Sequence, residues 1–289
     1  TGEGRSDIVL QNSGSNSVAD WQMNGSTITS GAVIDTPASD WKVRATGDLD
    51  GDGKTDVILQ NISTGQIARW SMNGHTLVAG TVITTVPTDW RIAGTYDLDH
   101  DAKADIIVQH NTTREIRVWL MNGSTISSNV SVGTPVAGWK VITGANVGGD
   151  SLILQNTSTL QVARWSMNGA VMTGGVVIGF APANTNVIAS GDFTTDGIDD
   201  LLLQNTSTRD VIVWGLNSSA AITSNNLIST PAAGWTVMGA GDYDANGRAD
   251  IILQNSITNS VAEWQSDGVT LLSGAIVDNP SAGWSVIIN

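Results

Sequence analysis

The segment GDLDGDGKTDVILQN, residues 47–61, opens with closely spaced aspartates and ends in an apolar run. Carboxylates this close together repel one another, so a cation is expected among them. Oxygen ligands at loop positions 1, 3, 5 and 9, a backbone carbonyl at position 7 and a glycine at position 6 are the ligand order of a calcium loop. Here the ligands are Asp48, Asp50, Asp52, Asp56 and the carbonyl of Lys54, and the glycine is Gly53. A calcium loop that joins two helices has a glutamate at position 12. Position 12 here is Leu59, inside an apolar run, so we expect this loop to join strands.

The same ligand order recurs in three further segments of the chain. The predicted ligands there are Asp97, Asp99, Asp101, Asp105 and the carbonyl of Lys103; Asp192, Thr194, Asp196, Asp200 and the carbonyl of Ile198; and Asp242, Asp244, Asn246, Asp250 and the carbonyl of Arg248. The loops at 48–56 and 97–105 are expected to bind calcium, although Ala102 replaces the turn glycine in the second loop. The loops at 192–200 and 242–250 each have one carboxylate fewer, so weaker binding is expected there.

Two related segments have lost most of these ligands. ANVGGDS keeps only Asp150, and TGEGRSD keeps Glu3 and Asp7, so neither segment is expected to hold a metal ion. An alternative interpretation is that the aspartates are solvated turn formers, as in a single Asp-Gly turn. Four copies in the same phase fit that alternative less well, and we expect a structural role for Ca²⁺ rather than a catalytic one.

The loops belong to a repeat that covers the whole chain. The tripeptide LQN, or VQH in the third unit, occurs six times at spacings of 46 to 50 residues. A WxMNG motif or a relative of it follows each copy. A motif such as DWKV or GWTV precedes the loops, with Thr185 in place of the tryptophan in the fourth unit. Repeat periods of this length are typical of solenoids and propellers.

Within each unit the apolar residues alternate with a period of two, which indicates β-strands. Asn-Gly between two such runs is a strong hairpin signal. Four strands per unit predict an all-β fold, a six-bladed β-propeller of four-stranded antiparallel blades. The chain ends in GWSVIIN, a first strand without a loop, and begins with a loop remnant and a second strand. We therefore predict one domain, residues 1–289, in which residues 284–289 pair beside residues 7–12 and close the ring.

The sequence DLDGDGKTDVILQN followed by WSMNG resembles the FG-GAP or VCBS-type repeat. That repeat is the unit of the integrin α-subunit propeller and of many secreted bacterial proteins. The resemblance spans all 289 residues, and its specific motif is D-x-D-x-D-G-x-x-D between the first and second strands of a blade. It implies a calcium-binding β-propeller that is usually extracellular. It implies no single activity, because such propellers serve in adhesion, in glycan recognition and as appendages of enzymes.

Composition excludes several classes of partner. The chain has 27 acidic and 13 basic residues and a net charge of -14, which argues against nucleic acid or an anionic membrane surface. No apolar run is long enough for a transmembrane helix, so membrane insertion is not expected. Cysteine is absent, which excludes disulfides and thiolate metal sites. The three histidines, His75, His100 and His110, occupy unrelated positions of the repeat and form no zinc motif.

Three classes of function fit these features. We favour a non-catalytic, calcium-stabilised module that is secreted or on the cell surface, in a bacterium, and that binds an extracellular protein or glycan or self-associates. A lectin with sugar pockets between blades is the first alternative. A propeller lyase or hydrolase is the second, and we do not expect an enzyme, because no repeat unit carries an insertion that resembles an active-site loop.

Overall fold

The computed structural model describes residues 4–287, and all regular secondary structure within them is β-strand. Six four-stranded antiparallel sheets form six blades. Blade 1 consists of β24 (Trp284–Ile287), β1 (Ile8–Asn12), β2 (Val18–Asn24) and β3 (Thr27–Asp35). Blade 2 consists of β4 (Trp41–Gly47), β5 (Asp56–Asn61), β6 (Gln66–Asn73) and β7 (Thr76–Thr85). Blade 3 consists of β8 (Trp90–Tyr96), β9 (Asp105–His110), β10 (Ile116–Asn122) and β11 (Thr125–Gly133).

The other three blades repeat this order of strands. Blade 4 consists of β12 (Trp139–Asn146), β13 (Asp150–Asn156), β14 (Gln161–Asn168) and β15 (Val171–Phe180). Blade 5 consists of β16 (Thr185–Gly191), β17 (Asp200–Asn205), β18 (Val211–Leu216) and β19 (Ile222–Ser229). Blade 6 consists of β20 (Trp235–Gly241), β21 (Asp250–Asn255), β22 (Val261–Ser266) and β23 (Leu271–Asp278). The predicted six-bladed propeller is confirmed.

The chain termini close the ring as the sequence predicted. Strand β24 pairs antiparallel with β1, with Asn12 opposite Trp284 and Val9 opposite Ile287. The first blade is therefore built from both ends of the chain, which removes the free edge that β1 would otherwise have. Residues 288 and 289, the end of the predicted closing strand, lie outside the described residues.

Burial follows the order of strands within a blade. The second strand is a Val/Ile/Leu run that is buried along its length, as in β5 and β21. The fourth strand is mostly exposed, as in β7. Neighbouring blades pack face to face: Trp119 of blade 3 is 2% exposed and belongs to one core cluster with Ile58 and Ile67 of blade 2.

The glutamine of each LQN motif joins two blades. In blade 1, the Gln11 side chain donates from Nε2 to the carbonyl oxygen of Trp41 at 3.0 Å and accepts from the backbone N–H of Val43 at 3.0 Å. Each of the other glutamines donates in the same way to the inner strand of the next blade, ending with Gln254 and blade 1, and all of them except Gln60 also accept a backbone N–H from that strand. A buried amide must satisfy both its donor and its acceptor, and in five of the six blades the glutamine side chain does so with a single neighbouring strand.

The last residue of the motif caps the turn that follows it. Asn61 Oδ1 accepts the backbone N–H groups of Ser63 and Thr64 at 3.0 and 2.9 Å. In blade 3 the residue is His110, whose Nδ1 accepts the N–H groups of Thr112 and Thr113 at 3.1 and 3.2 Å. The departure from asparagine therefore preserves the cap, and His110 has a structural role.

Candidate metal centres

Each acidic loop joins the inner strand of a blade to its second strand, and it folds around its first aspartate. Asp48 accepts N–H groups of its own loop, including that of Gly51 at 2.8 Å and that of Gly53 at 2.7 Å. In blades 3, 5 and 6 the first aspartate likewise accepts the N–H of loop position 6, at 3.1, 2.8 and 2.9 Å. The residue at position 2 anchors the loop in the core, since Leu49 and Leu98 are fully buried.

The last aspartate of each loop is buried beneath it. Asp105 is 0% exposed and accepts the backbone N–H groups of Leu98 and Met121, both at 3.0 Å. Asp200 makes the equivalent bonds with Phe193 and Leu216 at 3.2 and 2.9 Å. Burial raises the pKa of Asp105 to about 7 and that of Asp200 to about 6. An ionised carboxylate at this position therefore calls for a nearby cation.

Carboxylates converge in three of the four predicted calcium loops. Each of the following groups has one oxygen per residue within 4.8 Å of the others: Asp48, Asp50 and Asp56; Asp97, Asp99 and Asp101; Asp242, Asp244 and Asp250. These nine residues were all predicted as ligands from the sequence. Among the described residues, the loop at 192–200 forms no such group; its position 3 is Thr194, which supplies a hydroxyl in place of a carboxylate.

The donor set fits a hard divalent cation. One oxygen in each of the three groups is buried and has no hydrogen-bond partner, namely Oδ1 of Asp50, of Asp97 and of Asp250. Leaving a buried carboxylate oxygen without a partner is costly, so such atoms mark places where a ligand is expected. Several carboxylates that converge on one point supply the oxygen ligands that Ca²⁺ and Mg²⁺ require. These acidic clusters could therefore hold a metal ion.

The repeats match a known family by sequence. The family model described as FG-GAP-like repeat matches residues 1–59, 48–108 and 192–253, which together cover more than half of the chain. The chain belongs to the FG-GAP-like repeat family. The recognition made from the loop motif is thereby confirmed. No curated protein matches the sequence.

Solved structures share the architecture of this FG-GAP-like propeller. A lectin from Agrocybe aegerita that specifically recognises non-reducing terminal N-acetylglucosamine superposes with a TM-score of 0.62 at 14% identity, over 99% of this chain and 96% of the lectin. A chain of the nidogen/laminin complex gives 0.64 at 12% identity, over 97% and 95%. Streptogramin B lyase gives 0.57 at 14% identity, over 96% and 81%. At these identities the likeness shows the fold alone.

One set of residues near the FG-GAP-like loops was missed by the sequence analysis. The residue 13 positions after the last loop aspartate lies on the third strand and reaches back to the loop. In blade 2 it is Arg69, whose Nε donates to Asp56 at 2.6 Å and whose Nη2 pairs with Asp50. Burial acts to raise the pKa of Asp50, but Arg69 outweighs it and holds that pKa below its usual value.

In blade 6 the equivalent residue is an acid. Glu263 is 2% exposed, and its Oε1 has no hydrogen-bond partner. Burial, together with the charge of Asp244, raises the pKa of Glu263 to about 7. The loop that the sequence ranked as weaker therefore has a fourth carboxylate beside it, whereas the loop at 48–56 has a competing guanidinium. The constant spacing of 13 residues is the signal that could have revealed both.

The segments ANVGGDS and TGEGRSD, the two degenerate loops, have other contacts in place of the missing ligands. In blade 4, Asp150 Oδ2 lies 3.0 Å from Nε2 of His100, and Arg164 donates to Ser151 Oγ at 2.8 Å. In blade 1, Asp7 accepts the N–H of Met23 at 3.1 Å. Glu3 lies outside the described residues. The expectation that neither loop holds a metal stays a prediction.

The loops also form backbone hydrogen bonds between neighbouring blades. The carbonyl of Asp48 accepts the N–H of Ala104 in the next loop at 2.6 Å, and the carbonyl of Leu49 accepts that of Gly123 in the next blade at 2.7 Å. Gly123 has a positive φ of 62°, which suits the Asn-Gly turn at this position. Equivalent bonds join the loops of blades 3 and 6 to the hairpins of blades 4 and 1. Whatever orders these loops therefore also orders the contacts between blades.

A separate polar chain links blades 1 and 2. His75 lies 2.6 Å from Asp20 Oδ1 through Nδ1 and 2.7 Å from Ser30 Oγ through Nε2. The order Asp–His–Ser is that of an acyl-transfer triad. A working triad also requires hydrogen-bond donors that stabilise the oxyanion of the intermediate. Ser30 lies on the exposed outer strand β3. We interpret these contacts as a structural link between the β6–β7 turn of blade 2 and strands β2 and β3 of blade 1.

The buried loop aspartates predict how the metal-free protein responds to pH. The folded pKa of Asp105 and of Asp250 is about 7, against 3.8 for an unperturbed aspartate. The folded state therefore binds protons more tightly than the unfolded state, and the stability from these groups is lost as pH rises through about 7. We expect the melting temperature of chelator-treated protein to fall between about pH 5 and pH 7.5.

Scanning calorimetry of metal-free protein across this range measures the effect. The Asp105→Asn/Asp250→Asn double variant, which mimics the protonated side chains, should show a shallower fall. A melting temperature that rises with pH in metal-free wild-type protein would contradict the prediction.

Proposed function

We propose that this protein is a calcium-stabilised FG-GAP-like propeller that acts outside the cell as a non-catalytic binding module. The observation that carries the proposal is the unpartnered, buried carboxylate oxygen in each of three convergent acidic loops. Calcium is favoured over magnesium because these loops offer many oxygens in a flexible arrangement, whereas magnesium demands near-ideal octahedral geometry. The ligands we assign are those predicted from the sequence in the loops 48–56, 97–105, 192–200 and 242–250.

The role we assign to calcium is to hold the ring together. The ion would neutralise carboxylates whose mutual repulsion otherwise acts on the joints between blades. About half of the 27 acidic residues lie in these four loops, so the charge relieved is large relative to the net charge of -14.

Within the part of the chain that the structure describes, there is no helix able to span a membrane.

The partner we propose is an extracellular protein or a glycan. The propellers of similar fold include a lectin that recognises N-acetylglucosamine and a chain from the nidogen/laminin complex, which supports both kinds of partner. A lectin with sugar pockets between blades remains the second candidate. Streptogramin B lyase has the same architecture, so the non-catalytic role rests on the sequence argument and not on the fold.

The calcium proposal is tested by titration calorimetry of chelator-treated protein with Ca²⁺ and with Mg²⁺. We expect binding of several Ca²⁺ ions per chain and much weaker binding of Mg²⁺. The binding role is tested with a glycan array and with immobilised extracellular matrix proteins, each in calcium and in EDTA. Binding to a glycan class in calcium would favour the lectin, and absence of binding to either kind of partner would count against the module.

The third-strand residues predict unequal calcium sites. Replacement of Glu263 by glutamine removes a carboxylate beside the blade 6 loop and should weaken calcium binding there by roughly fivefold. Arg69→Gln removes the guanidinium that competes for Asp50 and Asp56, so the calcium-dependent rise in melting temperature should increase. The measurement is that rise in each variant.

Arg164→Gln is the matched control for both variants. In blade 4, Arg164 lies opposite Ile153 as Arg69 lies opposite Ile58 in blade 2, and it contacts Ser151 and the carbonyl of Ser218 instead of loop carboxylates. Its replacement should leave the calcium-dependent rise unchanged. Equal rises in all three variants would show that the third-strand residues do not influence the metal sites.

A further inference from the structure

Beta-bulges interrupt the inner strands of five of the six blades at one shared position. The register of the inner strand shifts at the same place in five blades, between Val43 and Ala45 in blade 2 and at the matching positions of blades 3 to 6. Such bulges re-aim a side chain. The residues at this position are Arg44, Ala93, Ile142, Ile188 and Met238, with Ile287 as their counterpart in blade 1. Arg44 is thus the one charged residue of an otherwise apolar set.

A cavity of about 470 Å³ lies where these strands face one another. Its lining comes from four blades and includes Arg44, Arg91, Asn111, Met238, Val286 and Ile287. Two guanidinium groups therefore share one cavity with an apolar wall. All eight lining residues lie in the described part of the chain, and none of them is acidic.

The two arginines of this cavity, and Arg114 near Arg91, lack anionic partners. Arg44 makes no hydrogen bond or ion pair with any residue in 4–287. Arg91 and Arg114 form no ion pair within that range either. Arg91 donates only from Nη2, to Gln109 Oε1 at 2.7 Å and to the carbonyl of Val141 at 3.2 Å. The Nε of Arg114 is buried without a partner.

The electrostatics of the cavity favour an anion. Burial lowers the pKa of the Arg91 guanidinium, and the like charges of Arg114 and Arg44 lower it further. Positive charges that are partly desolvated and close together are unfavourable unless an anion joins them. Such a concentration of positive charge is unexpected in a chain with a net charge of -14.

We propose that Arg44 and Arg91, supported by Arg114, bind the carboxylate of a small organic acid in this axial cavity. The guanidinium fork matches the planar carboxylate and can donate two parallel hydrogen bonds to it. The apolar wall of Met238 and Ile287 suits the uncharged body of such a ligand. A cavity of this size is within the range that holds small molecules. The site is independent of the acidic loops, whose residues are not part of its lining.

The test uses sodium glucuronate as the probe and the full chain saturated with calcium, at constant ionic strength. Titration calorimetry should show binding of one glucuronate per chain and no binding of glucose, which has the same ring without the carboxylate. Arg44→Gln should weaken glucuronate binding at least about tenfold, because hydrogen bonds to charged groups are the strong ones. Since Arg44 makes no hydrogen bond of its own within residues 4–287, this variant is expected to fold normally.

Two further variants make the result decisive. Arg44→Lys keeps the charge but loses the fork, so it should bind glucuronate more weakly than the wild type and more strongly than Arg44→Gln. Arg209→Gln removes a positive charge whose Nε contacts the carbonyl of Pro231 outside the cavity, and it should bind like the wild type. The proposal is overturned if glucuronate does not bind, if inorganic sulfate alone binds, or if Arg209→Gln weakens binding as much as Arg44→Gln.

Discussion

Removal of calcium is expected to lower the melting temperature of this propeller by about 5 °C for each site that is emptied. An ion that binds the folded loops and not the unfolded chain stabilises by about 2.7 kcal/mol per site at a hundredfold excess over its Kd. Because several loops carry convergent carboxylates, the separate contributions should sum to a large shift. Scanning calorimetry in calcium and in EDTA measures it.

Single substitutions should divide this response among the loops. Asp50→Ala and Asp99→Ala each remove a predicted ligand from a convergent group, so each should abolish part of the calcium-dependent shift. Asp150→Ala is the control, because that carboxylate contacts His100 in a shortened loop and is expected to bind no metal. Asp196→Ala should reduce the shift less than Asp50→Ala, because its loop has Thr194 at position 3.

Two outcomes would refute this account of the loops. One is a melting temperature that is the same in calcium and in EDTA. The other is an Asp150→Ala variant that loses as much of the calcium response as Asp50→Ala. The second outcome would place the metal in the degenerate loop and contradict the ligand assignment.

Substitution of Val286 by aspartate should open the ring. Val286 is 2% exposed and packs with Ile8 and Leu10 in the core of blade 1. Its backbone N–H donates to Gln254 Oε1 at 2.9 Å, so strand β24 is held by blade 6 as well as by β1. A carboxylate in place of this buried apolar side chain should cost about 4 kcal/mol of the free energy of unfolding.

Ser285→Asp is the matched control for the closure. Ser285 is the exposed neighbour of Val286 in the same strand, so the added charge should change the free energy of unfolding by less than about 0.5 kcal/mol. Urea denaturation of both variants measures the difference. Similar stabilities for the two variants would mean that pairing of β24 contributes little to the ring.

The repeat in the sequence determined the architecture of this protein. Six copies of LQN or VQH and of WxMNG or a relative, in units with strand periodicity, predict six blades because every unit must bury the same face against its neighbour. The split of one unit between the two termini predicted the pairing of β24 with β1. The loop aspartates were also readable, because their spacing reflects ligand geometry within one short segment. All of these features depend on residues that are close in the sequence or in the same phase of the repeat.

Only the tertiary structure decided which residues reach the loops and the axis. Arg69 and Glu263 modify two loops of similar sequence in opposite ways, and both approach from a different strand of the sheet. Arg44 faces the axis because a bulge shifts its strand, and its cavity is shared by residues of four blades. The physical reason is that charge interactions depend on distance in space. The spacing of 13 residues is a signal for the contacts within one blade, but residues brought together by the rotation between blades leave no local pattern that a reading of the chain could detect.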